Sequence, residues 1–145
     1  MATVQTPADR LPSAAALSSI RRRLQKNLFF LVLVILGDTV AALMLIGATY
    51  AMATQDHFTG STLFFGYLAS GIPAAGFAAG AVLSVVVAMR TWKMLSAANG
   101  GDLAALSRLS SPGWAVVAIF ACWVFPGLTL QKVNAEIKGL RADAR

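Results

Sequence analysis

The chain has little of the residue types from which most catalytic and metal sites are built. Among its 145 residues are one cysteine, one histidine and six acidic residues. The single thiol, Cys122, cannot form an internal disulfide, and the single imidazole, His57, falls short of the three or four ligands of a zinc site. The sequence also has no nucleophile elbow, no phosphate loop and no pair of nearby carboxylates. We therefore predict that the protein is not an enzyme and has no catalytic residue, no metal site and no cofactor.

Hydrophobic residues are the abundant class, at 57% of the chain, against ~45–50% in soluble domains. They form three runs, 28–53, 62–89 and 114–130, and about 20 apolar residues suffice for a helix to cross a bilayer. We predict an all-α integral membrane protein with three apolar membrane helices and short amphipathic helices at the interface. The third run is interrupted by Pro126-Gly127. A full crossing is slightly favoured for it, and a re-entrant segment is the alternative.

The rest of the sequence divides around a membrane domain that covers residues 28–130. Residues 1–27 form a basic segment in which Leu17, Ile20 and Leu24 recur at helical spacing, and residues 131–145 form a polar amphipathic tail. The cations expected to orient the first membrane helix are Arg21, Arg22, Arg23 and Lys26. A basic helix lying on the membrane surface is the alternative for this segment.

The charges of the connecting segments predict how the chain is oriented. Residues 1–27 hold five cations against one acid and residues 90–112 hold three against one, whereas the short 54–61 connection holds only Asp56. Since cytoplasmic segments carry the excess of Lys and Arg, we place the amino terminus in the cytoplasm, in the inner (plasma) membrane of a bacterium. The cations flank the apolar runs, so membrane lipid is the expected partner and nucleic acid is not. The tail is also basic, which conflicts with three full crossings.

One acidic residue, Asp38, lies near the middle of the first apolar run. A carboxylate at that depth costs ~2.5–3.5 kcal/mol on insertion scales, so such residues usually have a partner or a function. Tyr67, Ser70 and Ser84 on the second helix are candidate hydrogen-bond donors. We expect Asp38 to pair within this chain or with another chain, and a transport path is the alternative.

Small residues recur every four positions on the second helix. Such a row lets two helix backbones approach closely in a membrane. The predicted packing seam is Gly76, Gly80, Ser84 and Ala88. A matching row on the first helix is Gly37, Ala41 and Ala48. Packing within the chain is the favoured interpretation, and self-association or docking of another subunit is the alternative.

The last third of the chain carries a recognisable order of residues. A basic stretch with Trp92 precedes Ser111-Pro112-Gly113-Trp114-Ala115-Val116, and then come Trp123, Phe125-Pro126 and a polar helix with Glu136. This order resembles an uncharacterised bacterial multi-pass membrane domain. The resemblance implies a multi-pass bacterial membrane protein and no known activity.

These features predict a non-enzymatic accessory or assembly subunit of a larger membrane protein complex. The first alternative is a small oligomeric channel or transporter with Asp38 in its pathway. A third hypothesis is a haem- or quinone-binding subunit, in which Met44, Met52 or Met89 would supply an axial sulfur.

Overall fold

The computed structural model describes residues 11–54 and 60–143, and helices make up nearly all of them. The five helices are α1 (Leu11–Thr54), α2 (Ser61–Gly100), α3 (Leu103–Leu109), α4 (Pro112–Ala121) and α5 (Val124–Asp143). Neither described range contains a strand. Residues 1–10 of the predicted basic segment 1–27, and Asp56 and His57 of the 54–61 connection, lie outside the described residues.

α1 and α2 form a long antiparallel pair. At one end the Thr49 hydroxyl donates to Ser70 Oγ at 2.7 Å, and at the other the Arg21 guanidinium donates to the Ala98 carbonyl at 2.8 Å. Both helices are long and apolar enough to cross a membrane. The predicted helices 28–53 and 62–89 lie within them, although both helices continue well beyond these limits.

The start of α1 differs from the prediction of a separate amphipathic helix. α1 begins at Leu11 and continues into the apolar run without a break, because no glycine or proline lies between Ser13 and Leu28 to end it. Its apolar stripe does not face a membrane surface, since Ile20 and Leu24 are fully buried against the other helices.

The third apolar run, 114–130, is not a single helix, which corrects that prediction. The chain breaks at Cys122 and Trp123, between α4 and α5, and not at Pro126-Gly127. Pro126 lies in the first turn of α5, where a backbone N–H would have no partner within the helix, so proline is tolerated there. The polar tail, 131–145, is not separate either, because α5 extends as one helix to Asp143.

α4 and α5 fold against each other as an antiparallel hairpin. The Asn134 amide donates to the Ser111 carbonyl at 3.2 Å, and closer to the tip Gly127 lies directly on Ile119 and Ala115. α5 also runs antiparallel to α1, since Phe125 packs on Phe30 while Glu136 pairs with Arg23. The described carboxyl-terminal part of the chain therefore returns to the end of the molecule where α1 begins.

The connection between α2 and α3 follows local sequence signals. α2 ends at Gly100, and Gly101 adopts a left-handed conformation (φ 70°) that caps it. Asp102 then caps α3 by accepting a hydrogen bond from the Ala105 N–H at 2.8 Å. α3 and α4 meet at an angle of 54° at the next break, and together they have the length and composition of a bent or broken span.

The hydrophobic core lies at the end where all five helices meet. It includes Leu24, Val87, Leu106, Ala118 and Val133. Beyond it α1 and α2 pack only on each other, and their large apolar side chains face outward. Examples are Met44, Ile46, Tyr50, Phe64, Phe65 and Ile72. One half of the molecule is therefore a helix bundle, and the other half is a two-helix pair with an apolar surface.

The crossing of α4 and α5 depends on Gly127. A Cβ at this position would collide with the Ile119 side chain and lie 2.6 Å from its backbone nitrogen and 2.8 Å from the Ala115 carbonyl oxygen. We expect Gly127→Ala to force the hairpin apart and to lower the free energy of unfolding by about 1–3 kcal/mol. Thermal unfolding in detergent measures this change.

Gly139→Ala on the same helix is the matched control. No described atom lies within 4 Å of its Cβ position, so the helix preference of alanine should leave stability unchanged or raise it by up to ~1 kcal/mol. Equal effects of the two substitutions would contradict the tight crossing.

Candidate functional site at Asp38

The contact face of α1 repeats every seven residues. Leu24, Leu31 and Asp38 are spaced seven residues apart and are all buried on it. Four residues later, Ala42 and Thr49 are again seven apart and continue the face to the hydrogen bond with Ser70. A straight helix drifts only ~20° per seven residues, so such a repeat stays on one partner. Asp38 therefore occupies a position that a hydrophobic residue would normally hold.

The predicted seam follows a four-residue spacing instead, and only part of it packs. A row of this spacing turns by ~40° at each step and leaves the contact face within a few steps. Ser84 is fully buried and Ala88 packs against the core, but Gly76 is exposed, with no described atom within 4 Å of its Cβ position. The matching row on α1 also packs only in part, since Gly37 and Ala48 are exposed.

Gly80 is the residue of the seam that lies against Asp38. The Asp38 carboxyl oxygen Oδ2 is 3.1 Å from the position that a Cβ of Gly80 would occupy, and the Ala121 carbonyl oxygen is 3.7 Å from it. Asp38 is only 5% exposed. The missing side chain at Gly80 thus provides the space into which the carboxyl and the end of α4 fit.

The tip of the α4–α5 hairpin closes around the same place. Trp123 has φ 69°, a left-handed conformation that is rare for a bulky side chain and costs about 1–3 kcal/mol. Its indole, which carries one N–H donor, lies beside the Asp38 carboxyl. Cys122 is fully buried next to Ser84, whose hydroxyl has no hydrogen-bond partner among the described residues.

Of the three donors proposed for Asp38 from the sequence, only Ser84 lies in its neighbourhood. Ser70 is paired with Thr49, which is eleven residues from Asp38 and so ~16 Å away along α1. Tyr67 lines a separate groove together with Tyr50. The sequence analysis missed Gly80 and Trp123 as neighbours of Asp38. Counting outward from the 54–61 connection along both helices would have placed residue 77 opposite Asp38, about one helical turn from Gly80.

A lateral groove opens beside the buried acid, with a volume of about 550 Å³. We call it the Asp38 groove. Its walls are mostly apolar or small and include Gly76, Phe77, Phe120 and Trp123. Within residues 11–54 and 60–143, no three His, Cys, Asp or Glu side chains come together as metal ligands would. The arrangement offers one carboxyl, at mid-height of the long helix pair, to a hydrogen-bond donor that reaches the groove from the side.

The four cations predicted to orient the first membrane helix lie in three different environments. Arg21 donates to the Ala98 and Asn99 carbonyls at the end of α2, where a cation also interacts favourably with the helix dipole. Arg23 forms an ion pair with Glu136 at 3.1 Å. Arg22 and Lys26 are exposed.

Arg90, in the basic stretch that contains Trp92, makes a contact with Trp114. The Arg90 guanidinium lies over the Trp114 ring, 5.0 Å from its centroid, and donates to the Leu109 carbonyl at 2.7 Å. Such a cation–π contact is worth about 0.5–2 kcal/mol. These contacts hold the beginning of α4 against α2.

A double-mutant cycle tests the fit between Asp38 and Gly80. We expect Gly80→Ala to be about 0.5–1 kcal/mol more destabilising in the wild-type chain than in the Asp38→Ala background, because only the carboxyl crowds the new Cβ. The helix preference of alanine cancels between the two backgrounds. The same cycle with Gly76→Ala should give no coupling. Equal coupling at both glycines would contradict the arrangement.

Comparison with protein-family models, with curated proteins and with solved structures found no match for this chain.

Proposed function

We propose that this chain is a small accessory subunit of a larger membrane protein complex, without catalytic activity of its own, and that it docks a transmembrane helix of another subunit in the Asp38 groove. The proposal combines three features: a pair of membrane-length helices, a one-sided charge distribution, and a carboxyl buried beside a groove that is open to the side.

The distribution of cations supports a cytoplasmic location for the end where α1 begins. Arg22 and Lys26 of α1, Arg108 of α3 and Lys138 of α5 all belong to this end. The return of α5 along α1 removes the conflict over the basic tail, because all the basic segments then lie on one side. This one-sided distribution is what the positive-inside rule requires of a protein in the bacterial inner membrane.

The Asp38 groove is the feature that most directly supports docking of another helix. Lipid tails can fill an apolar groove, but they cannot donate a hydrogen bond to the carboxyl at its floor. A transmembrane helix with a polar side chain can do so, and such bonds are worth about 0.6–2 kcal/mol in membranes. The exposed Gly76 also lets a partner backbone come close, since no described side chain covers it.

A channel or transporter with Asp38 in its pathway is supported less well. A pathway needs polar groups spaced along the membrane. Toward the 54–61 connection, the next polar pair, Thr49 and Ser70, is ~16 Å from Asp38, and the intervening buried residues Ala42 and Ala74 are apolar.

Cysteine labelling tests the placement in the membrane. In a Cys122→Ala background we expect Ser18→Cys and Lys138→Cys to react with an impermeant maleimide from the cytoplasmic side of oriented vesicles, and Ser61→Cys from the opposite side. Detergent permeabilisation should then expose all three equally. Three full crossings would instead place the cysteine at position 138 on the same side as that at position 61.

Co-purification in mild detergent tests the docking. We expect the tagged chain to bring discrete foreign membrane subunits with it, and Gly76→Leu to reduce their yield by about tenfold or more, because the new side chain fills the groove. Asp38→Asn keeps a hydrogen-bonding group and should reduce the yield only about threefold, which corresponds to ~0.6 kcal/mol.

Gly47→Leu is the matched control for this experiment. Gly47 is also an exposed helix glycine with no described atom within 4 Å of its Cβ position, but it does not line the Asp38 groove. We expect the control to retain the foreign subunits. A homo-oligomer with no foreign subunit would count against the docking proposal and favour the channel.

A further inference from the structure

A second groove, of about 650 Å³, lies between α1 and α5 at the cation-rich end of the molecule. We call it the cationic groove. Four basic side chains line it: Arg22, Arg23, Lys26 and Lys132. Three of them belong to α1 and one to α5, so the groove exists only because α5 returns along α1.

The charges in the cationic groove are not balanced. Arg23 pairs with Glu136 at 3.1 Å and contacts Ser19 Oγ at 3.4 Å. Arg22, Lys26 and Lys132 form no ion pair with any residue that the structure describes. Three unpaired cations around one groove repel each other, and a bound anion would relieve that repulsion.

Toward the tip of the α4–α5 hairpin, the lining of the groove changes from charged to aromatic. Phe125 and Thr129 line the groove between Lys132 and the hairpin tip. Phe125 packs on Phe30 with ring centroids 4.6 Å apart. Phe125 is seven residues from Lys132, so the groove changes from charged to apolar over ~10 Å along α5. The cations and the aromatic rings therefore follow one another in the order in which a phospholipid presents its phosphate and its acyl chains.

We infer that the cationic groove binds the headgroup of an anionic phospholipid, with the phosphate among Arg22, Lys26 and Lys132 and an acyl chain along Phe125. The inference rests on the membrane placement in the proposed function, but it does not depend on any partner subunit. Basic pockets between membrane helices on the cytoplasmic side have the chemistry for this role.

Native mass spectrometry of the purified full chain in detergent tests the site. The probes are phosphatidylglycerol and phosphatidylcholine, each titrated separately. We expect phosphatidylglycerol to bind preferentially. The triple variant Arg22→Gln, Lys26→Gln, Lys132→Gln should weaken this binding by about tenfold or more, because each cation near an anionic lipid contributes ~1 kcal/mol.

The control variant removes three positive charges, as the first triple variant does, from the same end of the molecule. Lys93, Arg108 and Lys138 are exposed but do not line the groove, so the triple variant Lys93→Gln, Arg108→Gln, Lys138→Gln should bind phosphatidylglycerol within about twofold of the wild type. Circular dichroism and gel filtration confirm that both variants fold. Gly76→Leu should also retain the lipid, which separates this site from the docking groove.

Three outcomes would overturn the inference. Equal loss in the two triple variants would mean that lipid responds to overall charge alone. Equal binding of phosphatidylcholine would exclude recognition of the anionic headgroup. Displacement of the lipid by millimolar inorganic phosphate would identify the groove as a site for free phosphate.

Discussion

The antiparallel register of α1 and α2 is the constraint on which the rest of the structure depends. The contacts of Arg21 with Ala98, of Asp38 with Gly80 and of Thr49 with Ser70 are all centred on about residue 59 of the chain. One register therefore holds over most of both helices. A slip by one residue would bring Ala79 or Ala81 opposite the buried carboxyl, and the space that Gly80 leaves for it would be lost.

The parts of the fold that could be predicted are those set by local signals. The apolar runs predicted α1 and α2, and Asn99-Gly100-Gly101 followed by Asp102 is a local signal for a helix end and for the cap of the next helix. The break at Cys122 and Trp123 could not be predicted, because neither residue is a turn former and Pro126-Gly127 nearby is a stronger signal. Tertiary packing imposes that turn, since Gly127 must lie on Ile119 and the tip must reach Asp38.

The candidate sites also divide into residues that the sequence picks out and neighbours that only tertiary packing brings to them. Asp38 stands out in any reading of the sequence, because an acid in an apolar run is rare. Its neighbours Gly80 and Trp123 come from two other helices and are set by register and by the hairpin turn. The cationic groove joins α1 and α5 from opposite ends of the chain, so the cations near Arg22 gave no sign that Lys132 would face them.

The short hairpin of α4 and α5 has a consequence for biogenesis. α4 has ten residues, which span ~15 Å and cannot cross a bilayer. Polar backbone groups at its tip are tolerated at that depth only where protein covers them. With the membrane placement proposed above, α1 and α2 would enter lipid as independent helices, whereas the hairpin would enter from the cytoplasmic side, onto a pair that has already assembled. Insertion with that placement would be a two-step process in which the second step is folding and not translocation.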